Sequence, residues 1–394
     1  MISVTAAKEL IQKNSIPLPP VQCKLGTGIG KILAADIFSP LDIPAYPQSS
    51  MDGYAISFDS WKATGELDLF GEIAAGRGDT FQLPAGKAVR IFTGAPVPPG
   101  ADTVIMQEKC RVADDQLFIE DGLLKKGDNV RPTGSEISSG ALALEKGTLL
   151  TPAAIGFLAG IGITDINVYP SPAVSIIVTG NELQTPGNPL GYGQVYESNS
   201  LSLSAALSQA SITNPNVYRV EDQLEALAKT LEYALEHSDI VLLTGGISVG
   251  DYDFTLKATQ QCGVETIFHK IKQKPGKPIL FGRKGSKLVF GLPGNPASVL
   301  TCFYEYVLEA IGILQNRNIA LRQEFVPLAR PYKKSAGITH FLKGLLVEDT
   351  VHSLDAQESY KLNSFAKSNC LILIPENSTE CQAGEFVEIH RLPV

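Results

Sequence analysis

The chain has 394 residues, with 41 acidic against 33 basic side chains, for a formal net charge of −8 at pH 7. That length can bury more than one core, and hydrophobic residues at 44% with a mean hydropathy of +0.07 describe ordinary globular material rather than a disordered or fibrous chain. The acidic balance argues against nucleic acid or an anionic membrane as partner, so an anionic substrate would need a local basic pocket.

The opening MISVTAAKELIQKNSIPLPP has no cationic segment followed by an apolar run, and no stretch approaches about 18 continuous apolar residues, so neither a secretory signal nor a membrane span is expected. A cytoplasmic location follows as the expectation. Val4 to Gln12 has helical spacing and ends before Pro17, Pro19 and Pro20; Lys31 to Asp36 reads as a short helix leading into an extended connector at Pro40 and Pro44. From about Tyr54 to Leu142 the texture is β, with Ala88 to Phe92, Thr103 to Gln107 and Gln116 to Ile119 divided by glycine and proline turns. Thr151 to Gly160 reads as a helix with Thr151 as N-cap and Pro152 in its first position.

After residue 170 three buried-type strands each open into a glycine loop: Ala173 to Val178 before Thr179-Gly180, Ile240 to Leu243 before Thr244-Gly245-Gly246, and Leu288 to Phe290 before Gly291-Leu292-Pro293-Gly294. Helical patterns at Leu201 to Ala210, Gln223 to Glu236 and Ala297 to Ile311 alternate with them. This alternation predicts βαβ units and a parallel sheet with ligands at the strands' carboxyl ends. From about Gln323 the chain returns to short β pieces, among them Cys370 to Ile374 and Phe386 to His390.

Six dispersed cysteines without a C-x-x-C pair read as reduced thiols, and five histidines without metal-ligand spacing argue against a zinc site. The chemistry-bearing segments are loops. In Leu292-Pro293-Gly294-Asn295-Pro296-Ala297-Ser298, Asn295 is an N-cap candidate and Pro296 a first helical residue, which would aim free N–H groups at an anion; a plain strand-to-helix turn is the competing reading. In Thr244-Gly245-Gly246-Ile247-Ser248-Val249-Gly250-Asp251-Tyr252-Asp253, the glycines admit a phosphate, Ser248 supplies a hydroxyl, and Asp251 and Asp253 suit a hard divalent cation; an Asx-rich turn is the alternative. It matches neither the dinucleotide nor the Walker A pattern. In Lys270-Ile271-Lys272-Gln273-Lys274-Pro275-Gly276-Lys277-Pro278, an extended backbone would turn Lys270, Lys272 and Lys274 to one side with Lys277 nearby, as a multiply charged anion requires, unless the run is only a solvated strand. Glu182 after a strand end and Asp52 in a turn are two further carboxylates in non-random contexts.

The segments SSMDGYAI, RIFTGAPVPPGADTVIMQE, GDNVRPTGSEI, VTGNEL, YESNS, LLTGGISVGDYDF, KQKPGKPILFG and FGLPGNPAS, in this order, resemble the MoeA/gephyrin E-domain family of molybdopterin molybdenumtransferases. The resemblance runs from about residue 20 to the C-terminus. It implies an α/β multidomain fold: a segmented helical and dimerisation domain at 1–45 and 141–168, an inserted β domain at 46–140, a molybdopterin-binding α/β/α domain with a mostly parallel sheet at 169–322, and a C-terminal β-barrel at 323–394. It further implies a cytosolic homodimer that inserts molybdate into adenylylated molybdopterin with release of AMP, needs Mg²⁺, and meets the adenylyltransferase of the same pathway.

By the same resemblance, Asp52, Thr93, Glu182 and Asp253 match the family's functional polar residues, with Asp52, Glu182 and Asp253 as cation ligands. Lys270, Lys274 and Lys277 match its lysines. The glycine loops and the helix start, Gly245, Gly246, Ser248, Pro293, Asn295, Pro296 and Ser298, would grip the substrate's phosphates. Three positions depart from the pattern: Gln48 stands where Asn is usual, Glu136 where Asp is common, and His340-Phe341-Leu342-Lys343 replaces Glu-Phe-x-Arg, so that Lys343 keeps the charge without the bidentate fork. Two other readings stay open: the related adenylyltransferase step, and a non-catalytic scaffold that keeps the fold.

Overall fold

The computed structural model describes residues 1–76, 81–245 and 254–393. Two compact units emerge, one from Gln22–Ile29 and Leu33–Asn167, the other from Met1–Val21, Gly30–Ile32 and Val168–Val394.

The first unit carries a six-stranded sheet made of β1 (Gly53–Ile56), β2 (Leu67–Ile73), β3 (Lys87–Ile91), β4 (Thr103–Met106), β5 (Cys110–Ala113) and β6 (Gln116–Ile119), in the order β4-β1-β3-β2-β6-β5. Successive side chains on a strand point to opposite faces. Ala55, Val89 and Val104 therefore enter one core while Ile56, Ala88 and Ile105 enter another, and both faces of the sheet are covered. A helix follows at Pro152–Gly160, where Thr151 Oγ accepts the Ala154 N–H at 3.2 Å. The helix expected at Lys31 to Asp36 is absent. Short strands stand at Ile32–Leu33 and Ile37–Phe38, and the Leu33 and Ala34 N–H groups donate to the distant carbonyls of Thr148 and Asn167 at 3.0 and 2.8 Å. Long-range pairing has overridden local propensity there.

The second unit is built on β7 (Val174–Thr179), β8 (Asn216–Val220), β9 (Ile240–Thr244), β10 (Glu265–His269), β11 (Leu280–Lys284) and β12 (Lys287–Leu292), ordered β8-β7-β9-β12-β11-β10. The pairs β8/β7, β7/β9 and β9/β12 are parallel, and β11 and β10 add an antiparallel edge. Ile176, Val178, Leu242 and Phe290 face one core and Ile177, Val241, Leu243 and Val289 the other, which explains the uninterrupted apolar runs in the sequence. The helix Asn199–Gln209 covers the first face through Leu203, Ala206 and Leu207, and Leu224–His237 covers the second through Leu227, Leu231 and Leu235.

The helical run Pro296–Leu314 is long and apolar enough to cross a membrane, with a mean hydropathy of 1.5 over an 18-residue window, yet Glu305 and Glu309 interrupt its apolar residues and 78% of that window is buried inside the protein, as in a core helix. A π-turn at Phe303–Val307 interrupts it.

A further sheet joins β13 (Arg322–Pro327), β14 (Thr339–Val347), β15 (Cys370–Ile374) and β16 (Phe386–Arg391) in the order β14-β15-β16-β13. The short strand Gln273–Lys274 adds to β14 in parallel, pairing Gln273 with Thr339 and Lys274 with His340. The lysine-rich segment is thereby fixed to two sheets of the same unit.

Candidate active site

In the second unit, a cavity of about 830 Å³ opens at the carboxyl ends of the parallel strands. Glu182, Lys274, Lys277, Pro293, Asn295, Pro296 and Ser298, all singled out in the sequence, line it. Glu182 and the Pro293 to Asn295 turn follow strands of the parallel sheet, as the crevice rule for open α/β sheets requires, Pro296 and Ser298 begin the next helix, and Lys274 and Lys277 come from the short strand Gln273–Lys274 and the turn after it.

The turn bearing the two lysines is held from within. Gln273 is buried, accepts the Tyr306 hydroxyl, and donates its amide to the Pro275 carbonyl at 2.9 Å. Gly276 has φ +86°, and a Cβ there would lie 2.4 Å from Cys302 Sγ, so only glycine closes this turn. Lys274 and Lys277 stay exposed, and among the described residues neither has an ion-pair partner. Two unpaired ammonium groups at one cavity edge are suited to a dianion. Burial and the charges of Lys334 and Lys274 push the neighbouring His340 down to about 4, so its imidazole is neutral at neutral pH and adds no competing charge.

Lys270 does not share the lining. Extended alternation fails at that residue, which has φ +72°, and Lys272 turns instead to Glu376 at 2.7 Å. Gly245 sits behind the wall, where a Cβ would come within 2.0 Å of the Thr179 carbonyl oxygen. The expected side-chain cap by Asn295 is also missing. Its amide donates to Ser359 Oγ at 2.8 Å, linking the helix start to the C-terminal segment. Gly246, Ser248 and Asp253 lie outside the described residues.

Three contributors escaped the sequence reading. Asn199 donates from its amide to Thr244 Oγ1 at 3.0 Å and to the Gly294 carbonyl at 2.9 Å, tying two glycine loops together; the only sequence signal was its place in YESNS. Gln357 and Tyr360 enter the lining from the C-terminal segment, where no local pattern marks them.

In the other unit, Asp52 Oδ1 accepts the N–H and the hydroxyl of Thr93 at 2.8 and 2.7 Å. These bonds, with a smaller contribution from Arg90, hold the Asp52 carboxyl below the usual range, so it is ionised and ready to act as an oxygen ligand or acceptor.

Among the described residues, no group of three or more His, Cys, Asp or Glu side chains is arranged to hold a metal ion. Mg²⁺ does not require one, since it is commonly bound through one or two carboxylates together with substrate phosphates and water. Glu182 on the cavity wall fits that mode.

Comparison with known proteins gives this geometry a family. Models described as the MoeA N-terminal region (domain I and II), a probable molybdopterin binding domain and the MoeA C-terminal region (domain IV) match residues 2–162, 175–312 and 326–392. A Haemophilus influenzae protein named molybdopterin molybdenumtransferase is 32% identical over 98% of this chain and 96% of its own length. A Nostoc protein of the same name is 33% identical over 93% and 87%. A solved molybdopterin biosynthesis MoeA structure from Pyrococcus horikoshii superposes with a TM-score of 0.85 at 29% identity, covering 99% of both chains. With the cavity, its paired lysines and matches along nearly the whole sequence, the chain belongs to the MoeA family.

Proposed function

We propose that this protein is a molybdopterin molybdenumtransferase that takes adenylylated molybdopterin, inserts molybdate into the dithiolene and releases AMP. The observation that carries the reading is the cavity edge where Lys274 and Lys277 stand without counter-ions among the described residues, beside the Pro293 to Ser298 loop, in a chain related to such transferases over nearly its full length. Molybdate, a tetrahedral dianion, would sit against those two ammonium groups. The substrate's phosphates would lie along the glycine loops and the start of the helix at Pro296.

Glu182 would hold Mg²⁺ together with substrate oxygens, and Asp52 and Asp253 are proposed as further ligands. When bound, the ion would neutralise charge on the pyrophosphate. The chain's own work is positioning. Asn199 keeps two phosphate-facing loops in register, Gln273 and Gly276 fix the lysine turn, and Thr93 orients Asp52. No Ser/His or Cys/His nucleophile is required for this phosphoanhydride cleavage, which is a task of placement and electrostatics.

The limits of the matching family models support the boundaries near 169 and 323, and the four-part division into 1–45 with 141–168, 46–140, 169–322 and 323–394 belongs to the same proposal. So do a cytoplasmic homodimer and contact with the pathway's adenylyltransferase, which rest on the resemblance. Incubation with adenylylated molybdopterin, Mg²⁺ and molybdate tests the reaction, with molybdate-dependent AMP release as the expected result.

A further inference from the structure

Lys343 lies in β14 and is only 4% exposed. Its ammonium donates to the carbonyl oxygens of Ala356, Glu358 and Lys361 at 2.5, 3.2 and 2.9 Å. That uses all three donors of a lysine. The main chain of the same residue holds the same segment: its N–H donates to Gln357 Oε1 at 2.9 Å, and its carbonyl accepts from Gln357 Nε2 and the Leu354 N–H, both at 2.9 Å. Ala356 is bent to φ +59°, and its carbonyl also accepts the Ser364 hydroxyl at 2.8 Å. The segment is curled around a cation as a chelating loop curls around a metal ion.

The outer side of that curl faces the cavity. Gln357, Ser359 and Tyr360 line it, the Ser359 carbonyl accepts the Ala297 N–H at 3.1 Å, and Ser359 Oγ accepts the Asn295 amide at 2.8 Å. Without the ammonium, three carbonyl dipoles would converge with no cation between them, keeping only the Ser364 hydroxyl on Ala356 and the Lys361 N–H on Glu358 as donors.

We propose that Lys343 is a positioning residue, whose ammonium serves as an internal cation that shapes residues 354–361 and so sets the cavity wall formed by Gln357, Ser359 and Tyr360, rather than contacting the oxyanion. Burial lowers its pKa and the nearby Glu358 opposes that, which fits a cation held by an enclosing shell. The geometry also selects lysine over arginine. A compact ammonium reaches three carbonyls arranged around a point, whereas a planar guanidinium spreads its donors along a fork that suits a carboxylate or an oxyanion. An oxyanion contact would accept arginine; this cage does not.

The test compares the full-length protein with Lys343→Ala, Lys343→Met and Lys343→Arg, reading amide exchange in peptides covering Ala297 and residues 354–361 beside molybdate-dependent AMP release. The second readout rests on the transferase reading, and the first does not. Exchange in those peptides is expected to accelerate at least tenfold in the Ala and Met variants, and AMP release to fall about 100-fold, the scale of a displacement near 1 Å in a reacting geometry. Arginine should not restore either, while added ethylammonium should restore part of both in Lys343→Ala. Lys343→Met keeps the aliphatic stem and carries the exchange result if the alanine variant does not fold. Wild-type exchange in the variants, with a raised molybdate requirement that arginine repairs, would place Lys343 on the oxyanion and overturn the proposal. Should the unaltered protein release no AMP, the transferase reading fails while exchange still decides the role of Lys343.

Discussion

Asp52 Oδ1 accepts both the main-chain N–H and the hydroxyl of Thr93, at 2.8 and 2.7 Å, across 41 positions of sequence. Thr93→Val removes the hydroxyl and keeps the shape. The Asp52 pKa, now held below the ordinary value by those two bonds, should rise, which carboxyl-detected NMR titration can follow. If Thr93 orients a cation ligand, AMP release should fall about 10- to 100-fold and need more Mg²⁺. An unchanged rate at limiting Mg²⁺ would remove the pair from the reaction.

Lys277→Ala should raise the molybdate concentration needed for half-maximal AMP release about tenfold or more, since a hydrogen bond to a charged group contributes about 1.5–3 kcal/mol. Lys272→Ala serves as the contrast. Lys272 is paired with Glu376 at 2.7 Å, and its loss should leave the molybdate dependence unaltered. Equal effects of the two substitutions would show that the response is to general charge rather than to one edge of the cavity.

A buried charge network provides a pH signature for stability. Glu305, 2% exposed on the π-turn, accepts from Lys8 at 2.8 Å and pairs with His390 Nδ1 at 2.6 Å, while His390 Nε2 meets Glu388 at 2.9 Å. Burial opposes charge on both partners. The His390 bond and the Lys8 charge nevertheless bring the Glu305 pKa down, and the bond and charge of Glu305 bring that of His390 up.

For His390, stabilisation is fully present below the unfolded value of about 6.5 and is lost as pH rises through the elevated folded value. For Glu305 it is present above about 4.3 and is lost as pH falls through the depressed one. Thermal unfolding should therefore show the network's contribution greatest between these limits, and His390→Phe should flatten the decline above pH 6.5. Glu305→Ala should cost about 3–5 kcal/mol by stranding buried positive charge. A melting profile in His390→Phe parallel to that of the unaltered protein would contradict this coupling.

Gly276→Ala should both destabilise the protein and reduce AMP release, because the new methyl meets Cys302 Sγ at 2.4 Å on a backbone at φ +86°. Adding Cys302→Ala removes the contact with sulfur and leaves the backbone strain and a 2.8 Å approach to Gln273 Nε2. Partial recovery of the melting temperature in the double variant, with activity still reduced, is the expected result.

The parallel sheet was legible because buried strands write mostly apolar runs rich in Val, Ile and Leu, as at Val174–Thr179 and Ile240–Thr244, and each stops at a glycine loop. Those loops also announced Lys274, Lys277 and the Pro293 to Ser298 turn. What stayed hidden depends on partners far along the chain. Asn295 has every local feature of a side-chain cap, yet Ser359, 64 residues on, takes its amide. Lys343 reads as the family's arginine position with the charge kept, and nothing local foretells the carbonyls that enclose it. Lys270 looked like a third member of a basic face, but its left-handed backbone breaks the alternation that would have placed it there.

The central claim is tested most directly by following AMP after mixing the purified protein with adenylylated molybdopterin and Mg²⁺, with and without molybdate. The expected result is AMP release that depends on molybdate and is lost in Lys274→Ala/Lys277→Ala. Consumption of ATP with free molybdopterin would indicate adenylyl transfer instead, and substrate binding without AMP release at any molybdate concentration would contradict the transferase assignment.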